Sequence, residues 1–193
     1  MRPIVLLALL ATVLSAGQRN PPEPNPHVRN IAPVLAPDLP AIGVAAFRGE
    51  LKTLRDLIAS GTAVESAGRD KRAPLLLASA GGHVEVVSLL LDSGANLNAR
   101  DSAGATALHW VCGRREEKVV HLLLGHHAEV NVPDESGFTP LTLAVISGDK
   151  TIVEALLRAG ARADFKDVYG WTASDWARKT SYANIAALLE RTR

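Results

Sequence analysis

The side chains here best suited to chemistry are Cys112 and six histidines: His27, His83, His109, His121, His126 and His127. His121, His126 and His127 cluster near the end of one helical stretch, and imidazole is a common ligand of divalent metals. Placement near a helix C-terminus is itself favourable for histidine and is the simpler account of this cluster. Cys112 lies three residues after His109, so a thiol and a potential base share one helix, the minimum a cysteine nucleophile needs. A Cys/His-dependent enzyme or a metal binder is thus the chemical alternative to be weighed. The sequence holds no G-x-S-x-G, H-E-x-x-H or phosphate-loop pattern. Glu116 and Glu117 beside Arg114 and Arg115 read as a solvated charged loop. No catalytic constellation, cofactor or metal is expected.

The elements that must carry these residues are bounded by composition. The chain has 193 residues, with 21 Lys and Arg against 20 Asp and Glu. That balance lacks the basic excess of a nucleic-acid-binding surface, so no nucleic acid partner is expected. One cysteine excludes an intrachain disulfide, a four-thiolate zinc site and a paired-cysteine redox motif.

The first residues have a separate logic. Ile4 to Leu14 carries no charge, Arg2 precedes it, and the small residues Ser15, Ala16 and Gly17 follow. This is the layout of a secretory signal peptide, residues 1–17, with cleavage expected after Gly17 or Ala16. A spanning helix needs roughly 20 apolar residues, so no stable membrane span is expected after cleavage. A secreted or periplasmic protein follows from this. Residues 18–34 begin a proline-rich stretch that reads as a linker, because proline at that density favours extended backbone. It continues through Pro37 and Pro40.

From residue 35 onward the sequence repeats. Gly61, Gly94, His127 and Gly160 stand at steps of 33 residues, as do Asp101, Asp134 and Asp167, and Thr106, Thr139 and Thr172. Between Asp134 and Lys166 the pattern is physically readable. Asp134 to Gly137 signals a turn, Thr139 suits a helix N-cap and Pro140 the first helical position. Leu141 to Val145 form a short apolar helix that Gly148 and Asp149 break. Ile152, Val153, Ala155, Leu156 and Leu157 form the stripe of a second helix, which Gly160 closes with left-handed backbone. Neither helix buries its apolar face alone, so neighbouring units must stack.

DSAGATALHW (Asp101 to Trp110), DESGFTPLTLA (Asp134 to Ala144), GGHVEVVSLLLDSGANLNAR (Gly81 to Arg100) and DKTIVEALLRAGARAD (Asp149 to Asp164) carry a family resemblance. The chain resembles the ankyrin repeat. The resemblance implies an all-α solenoid of helix-turn-helix units with short β-hairpin tips, over residues 35–193. Five units are expected: about 35–67, 68–100, 101–133, 134–166 and 167–193. The first and last depart from the pattern as end caps do. In the third, Arg115 and His127 replace both usual loop glycines, so it should be the least stable interior unit or have rearranged loops. The resemblance also gives His83 and His109 a structural bridging role, and makes Cys112 a small buried core residue.

In the family, partners contact the hairpin tips and the exposed, concave side of the first helix. By phase, those positions are Arg69, Asp70 and Arg72 at the second tip, and Glu135, Ser136 and Phe138 at the fourth. At the fifth they are Val168, Tyr169 and Trp171, and on the helices Phe47, Ala80, Gly113, Arg114, Ile146 and Lys179. Phe138, Tyr169 and Trp171 form an expected aromatic hot spot, since Tyr, Trp and Arg dominate interface energetics. The competing reading packs these rings tip against tip to seal the last unit. Trp110 and Trp176 are assigned to the core. The resulting expectation is an exported, monomeric protein–protein interaction module with an unidentified protein partner and no enzymatic activity. A stoichiometric inhibitor or regulator of an exported enzyme is the alternative.

Overall fold

A computed structural model of the protein describes residues 39–191. The expected signal segment 1–17, the expected linker 18–34, residues 35–38 and residues 192–193 lie outside the described residues. Ten helices follow: α1 (Ala41–Arg48), α2 (Leu51–Ala59), α3 (Pro74–Ala80), α4 (Val84–Asp92), α5 (Ala107–Arg114), α6 (Glu117–Gly125), α7 (Pro140–Ser147), α8 (Lys150–Arg158), α9 (Ala173–Lys179) and α10 (Ala183–Glu190). They fall into five consecutive pairs. Among the described residues none is long and apolar enough to cross a membrane.

Each helix has seven to nine residues, too few to persist alone in water. Packing supplies the stability. The first helices of each pair, α1, α3, α5, α7 and α9, contact one another in sequence, and the second helices, α2 to α10, do the same in a parallel row. The interior first helices α3, α5 and α7 are flanked on both sides, and α3 is buried along its whole length. The second helices are amphipathic: α8 buries Ile152, Val153, Ala155 and Leu156 and exposes Lys150, Thr151 and Arg158. One apolar core runs from Ile42 to Leu189.

The helix ends repeat as the helices do. The bonds Ala95 N–H to Leu90, Ala128 N–H to Leu123 and Ala161 N–H to Leu156 close α4, α6 and α8 at 2.9, 3.1 and 2.9 Å. This closure requires positive φ at the residue before the donor. Gly94 and Gly160 supply it at 86° and 87°, and His127 at 63°. Arg115 occupies the other left-handed position of the third unit, at 65°. The loops therefore keep the shape of their neighbours instead of rearranging, and a Cβ is carried where glycine is the better fit.

Such a residue costs about 1 kcal/mol. His127→Gly is accordingly expected to raise the stability of the chain by about 1 kcal/mol, read as a higher urea midpoint. Arg115→Gly should gain less. Its Nε donates to Asp149 Oδ2 at 3.3 Å, and Asp149 is buried at the N-cap of α8. Equal gains at both positions would show that this ion pair contributes nothing.

Candidate interaction surface

The tips are built on aspartate. Asp101, Asp134 and Asp167 are buried, and in each Oδ1 accepts two backbone N–H groups at 2.9 Å. The donors are Ala103 and Ala105, Ser136 and Phe138, and Tyr169 and Trp171. The second carboxylate oxygen of Asp101 takes the indole N–H of Trp110 at 3.0 Å, and that of Asp167 the indole N–H of Trp176 at 2.8 Å. One side chain thus fixes the turn and ties it to the first helix of its own unit.

The tips also bond to one another. Ser102 N–H donates to Asp70 O, Glu135 N–H to Ala103 O and Val168 N–H to Ser136 O, at 2.9, 3.0 and 3.0 Å. No strand forms among the described residues, because each tip pairs over too short a stretch to extend a ladder.

Histidine joins units on the helix side. His109 is fully buried; its Nε2–H donates to the carbonyl of Phe138 at 3.1 Å, while Nδ1 accepts the Thr106 N–H at 3.1 Å. The carbonyl cannot donate, so the proton sits on Nε2. Burial, with a smaller contribution from the nearby Arg100 charge, pushes the imidazole pKa down from 6.5 to about 4. His83 Nε2–H donates to Phe47 O at 2.9 Å, across the boundary between the first two helix pairs. Its ring lies where a Cβ on Gly49 would stand. Both bridging roles expected of these histidines are therefore seen.

Cys112 is buried in α5, and burial followed by the charge of Asp149 drives its thiol pKa far upward. With both nitrogens of His109 engaged by Thr106 and Phe138, the two residues do not form a nucleophile–base pair. His121, His126 and His127 are exposed, and among the described residues no three His, Cys, Asp or Glu side chains gather as metal ligands.

The aromatic expectation needs correction. Phe138 is only 3% exposed. Its ring meets Trp176 edge-on at 5.8 Å between centroids, and Trp171 lies 5.3 Å from the same indole. Trp176 occupies the slot held by Leu143 one unit earlier, and the larger ring covers Phe138. The rings thus pack between tips and seal the end of the stack; Trp171 and Tyr169 remain half-buried. Ile146 is also corrected: it is 5% exposed on α7, which is packed between α5 and α9. Ala80 is buried for the same reason on α3, between α1 and α5. Trp110 and Trp176 are in the core, as expected.

Phe47 is partly buried and packs against the core, whereas Glu135 and Lys179 are exposed. Arg69, Asp70 and Arg114 are exposed, and Arg72 is partly so. The Arg72 guanidinium stands 5.3 Å above the Trp110 ring and 3.7 Å from Asp70. Val168, 55% exposed, projects from the fifth tip. Lys71 was missed by the sequence reading although its spacing marks it: it occupies the tip slot of Gly104, Gly137 and Gly170.

The family pattern described as ankyrin repeats (3 copies) matches residues 42–134 and 114–192. The chain belongs to the ankyrin-repeat family. One curated relative, the transcription factor TOXE of Cochliobolus carbonum, is 38% identical over 65 residues. The shared stretch is 34% of this chain and 15% of that protein. This chain therefore spans a small part of the relative's length. The ankyrin-repeat fold supports a protein–protein interaction module, and the aspartate-locked tips are the part of it that presents side chains outward.

Proposed function

We propose that the chain is an exported protein–protein interaction module whose partner lies along the row of tips and the adjoining ends of the first helices. One observation carries this reading. In three of the four tips the frame is constant, the second having Gly68 in the aspartate slot, while the projecting side chains differ in all four. Asp101, Asp134 and Asp167 hold their turns by the same two bonds at the same distance. The projecting pairs are Arg69 and Asp70, Ser102 and Ala103, Glu135 and Ser136, and Val168 and Tyr169. A rigid frame presenting unlike side chains suits recognition, because little conformational entropy is lost on binding. The stretch shared with the transcription factor TOXE is repeat sequence within a far longer protein, so its role in transcription is not carried over. Export rests on the uncharged run Ile4 to Leu14 and the small residues after it.

Photo-crosslinking in a secreting host tests both parts. Crosslinking residues are placed singly at Arg69 and Val168 on the tips, and at Glu85 on exposed α4. The expected result is one protein captured from the tip positions and none from Glu85. Capture from Glu85 alone would overturn the assigned face. Intact mass of the recovered chain should be lower by about 1.7 kDa, the mass of residues 1–17. A full-length chain retained inside the cell would overturn export.

A further inference from the structure

The second tip departs from the others in conformation and in charge. The left-handed turn position is glycine in three tips, Gly104, Gly137 and Gly170, with φ of 74°, 79° and 80°. In the second tip it is Lys71, with φ of 54°. A side chain there is strained where glycine is not. The Lys71 side chain is exposed, and its ammonium pairs with no carboxylate among the described residues. Strain kept at an exposed position with no packing return is a pointer to function.

The charges around it are mainly positive. Arg69 and Arg72 flank Lys71. The guanidinium carbon of Arg72 lies 5.3 Å from the centroid of the Trp110 ring. Four residues after Trp110 on α5 stands the exposed Arg114. Helical side chains lean toward the N-terminus, so Arg114 leans toward the turn that Arg72 covers. Asp70 lies 3.7 Å from Arg72. The outward pairs of the next tips are Ser102 with Ala103, Glu135 with Ser136, and Val168 with Tyr169, and none of them is basic. A chain of net charge +1 therefore concentrates cations at one end of its interaction face.

We infer that Lys71, Arg72 and Arg114 dock an acidic segment of the protein partner. The inference rests on the module reading above and names the chemistry of what it binds. A guanidinium pre-oriented on a ring suits a carboxylate pair, and a focused positive patch speeds the encounter with an acidic chain. A nucleic acid fits less well. Asp70 interrupts the cations, and the Trp110 ring that would stack a base is buried beneath Arg72.

The test uses the full chain and two labelled 12-residue peptides, one alternating Glu with Gly and one alternating Gln with Gly, followed by fluorescence anisotropy. A single-stranded oligonucleotide of equal charge is the third probe. The Glu peptide should bind, with affinity falling as salt rises, and the Gln peptide should not. Lys71→Gln, Lys71→Gly and Arg114→Ala should each weaken binding by about threefold, and Lys71→Gly with Arg114→Ala by about tenfold. Lys71→Gly should also melt higher than the parent, whereas Lys71→Gln should not, since it keeps a side chain in the strained turn. Equal binding of both peptides, unchanged affinity in the double variant, or tighter binding of the oligonucleotide would each overturn the inference. The module reading is judged separately: crosslinks from Val168 that persist in the double variant leave it standing while this one falls.

Discussion

Asp101→Ala is expected to destabilise the chain by about 3–5 kcal/mol, more than any other single change at the tips. The substitution orphans three donors: Ala103 N–H, Ala105 N–H and the indole N–H of Trp110. Asp101, Ala105 and Trp110 are buried, so water cannot replace the carboxylate without opening the tip. Each orphaned donor costs about 1–3 kcal/mol, and partial relaxation brings the total into the lower part of the summed range. Asp167→Ala removes three bonds of the same geometry, with Tyr169 N–H, Trp171 N–H and Trp176 as donors. Its context differs, because α9 and α10 have neighbours on one side only. In a linear array the end unit can open without the rest. Asp167→Ala should therefore give an early, separate loss of protection around α9 and α10 in hydrogen exchange, with the main urea transition little moved. Asp101→Ala should shift the main transition itself. Asp101→Asn should fall between, keeping an acceptor for the backbone pair and losing the one for the indole. A cost at Asp101 below about 1 kcal/mol would mean that the turn holds itself without the carboxylate.

The period of 33 residues made the helix pairs legible, because glycine, threonine and aspartate at fixed steps define where a helix can start and stop. The family resemblance placed Trp110 and Trp176 in the core and implied the bridging roles of His83 and His109, and all four are seen. The step could not show the size of a neighbour. Phe138 shares its slot with Arg72, Ala105 and Trp171, and only Arg72 and Trp171 among them keep appreciable exposure. Phe138 is covered because the next unit carries Trp176 where its own carries Leu143. Ile146 and Ala80 were misjudged similarly: α7 and α3 have a helix packed on each side, which a slot number does not record. The third unit shows the reverse limit. Arg115 and His127 could have signalled either a rearranged loop or a strained one, and only the backbone angles decide for strain. Lys71 stands in a glycine slot by the same arithmetic, yet it lies beyond the family's more obvious markers and becomes informative only once its φ is seen.

Acidification from pH 7.5 to pH 5 is expected to remove about 2 kcal/mol of stability through His109 alone. The imidazole is buried with Nε2–H on the Phe138 carbonyl and Nδ1 facing the Thr106 N–H. A second proton on Nδ1 would displace the Thr106 N–H bond, and the charge would sit in a fully buried site. The folded pKa is accordingly about 4, against 6.5 for the free side chain. Between those values the unfolded chain takes up a proton that the folded chain refuses. Stability is full above pH 6.5, falls as the pH drops toward 4, and then levels off as the folded state protonates too. Urea denaturation of the parent and of His109→Gln at both pH values isolates the effect, because carboxylate titration is common to both chains. Glutamine can donate to Phe138 without titrating, so its loss on acidification should be smaller than the parent's by about 2 kcal/mol. Protonation at Nδ1 leaves the Nε2–H bond to the Phe138 carbonyl in place and breaks the bond from Thr106 N–H at the start of α5. Hydrogen exchange at pH 5 should therefore show the first opening at the N-terminus of α5. Equal pH slopes in the two chains would mean that His109 keeps its ordinary proton affinity in the fold and that the bridge opens readily to water.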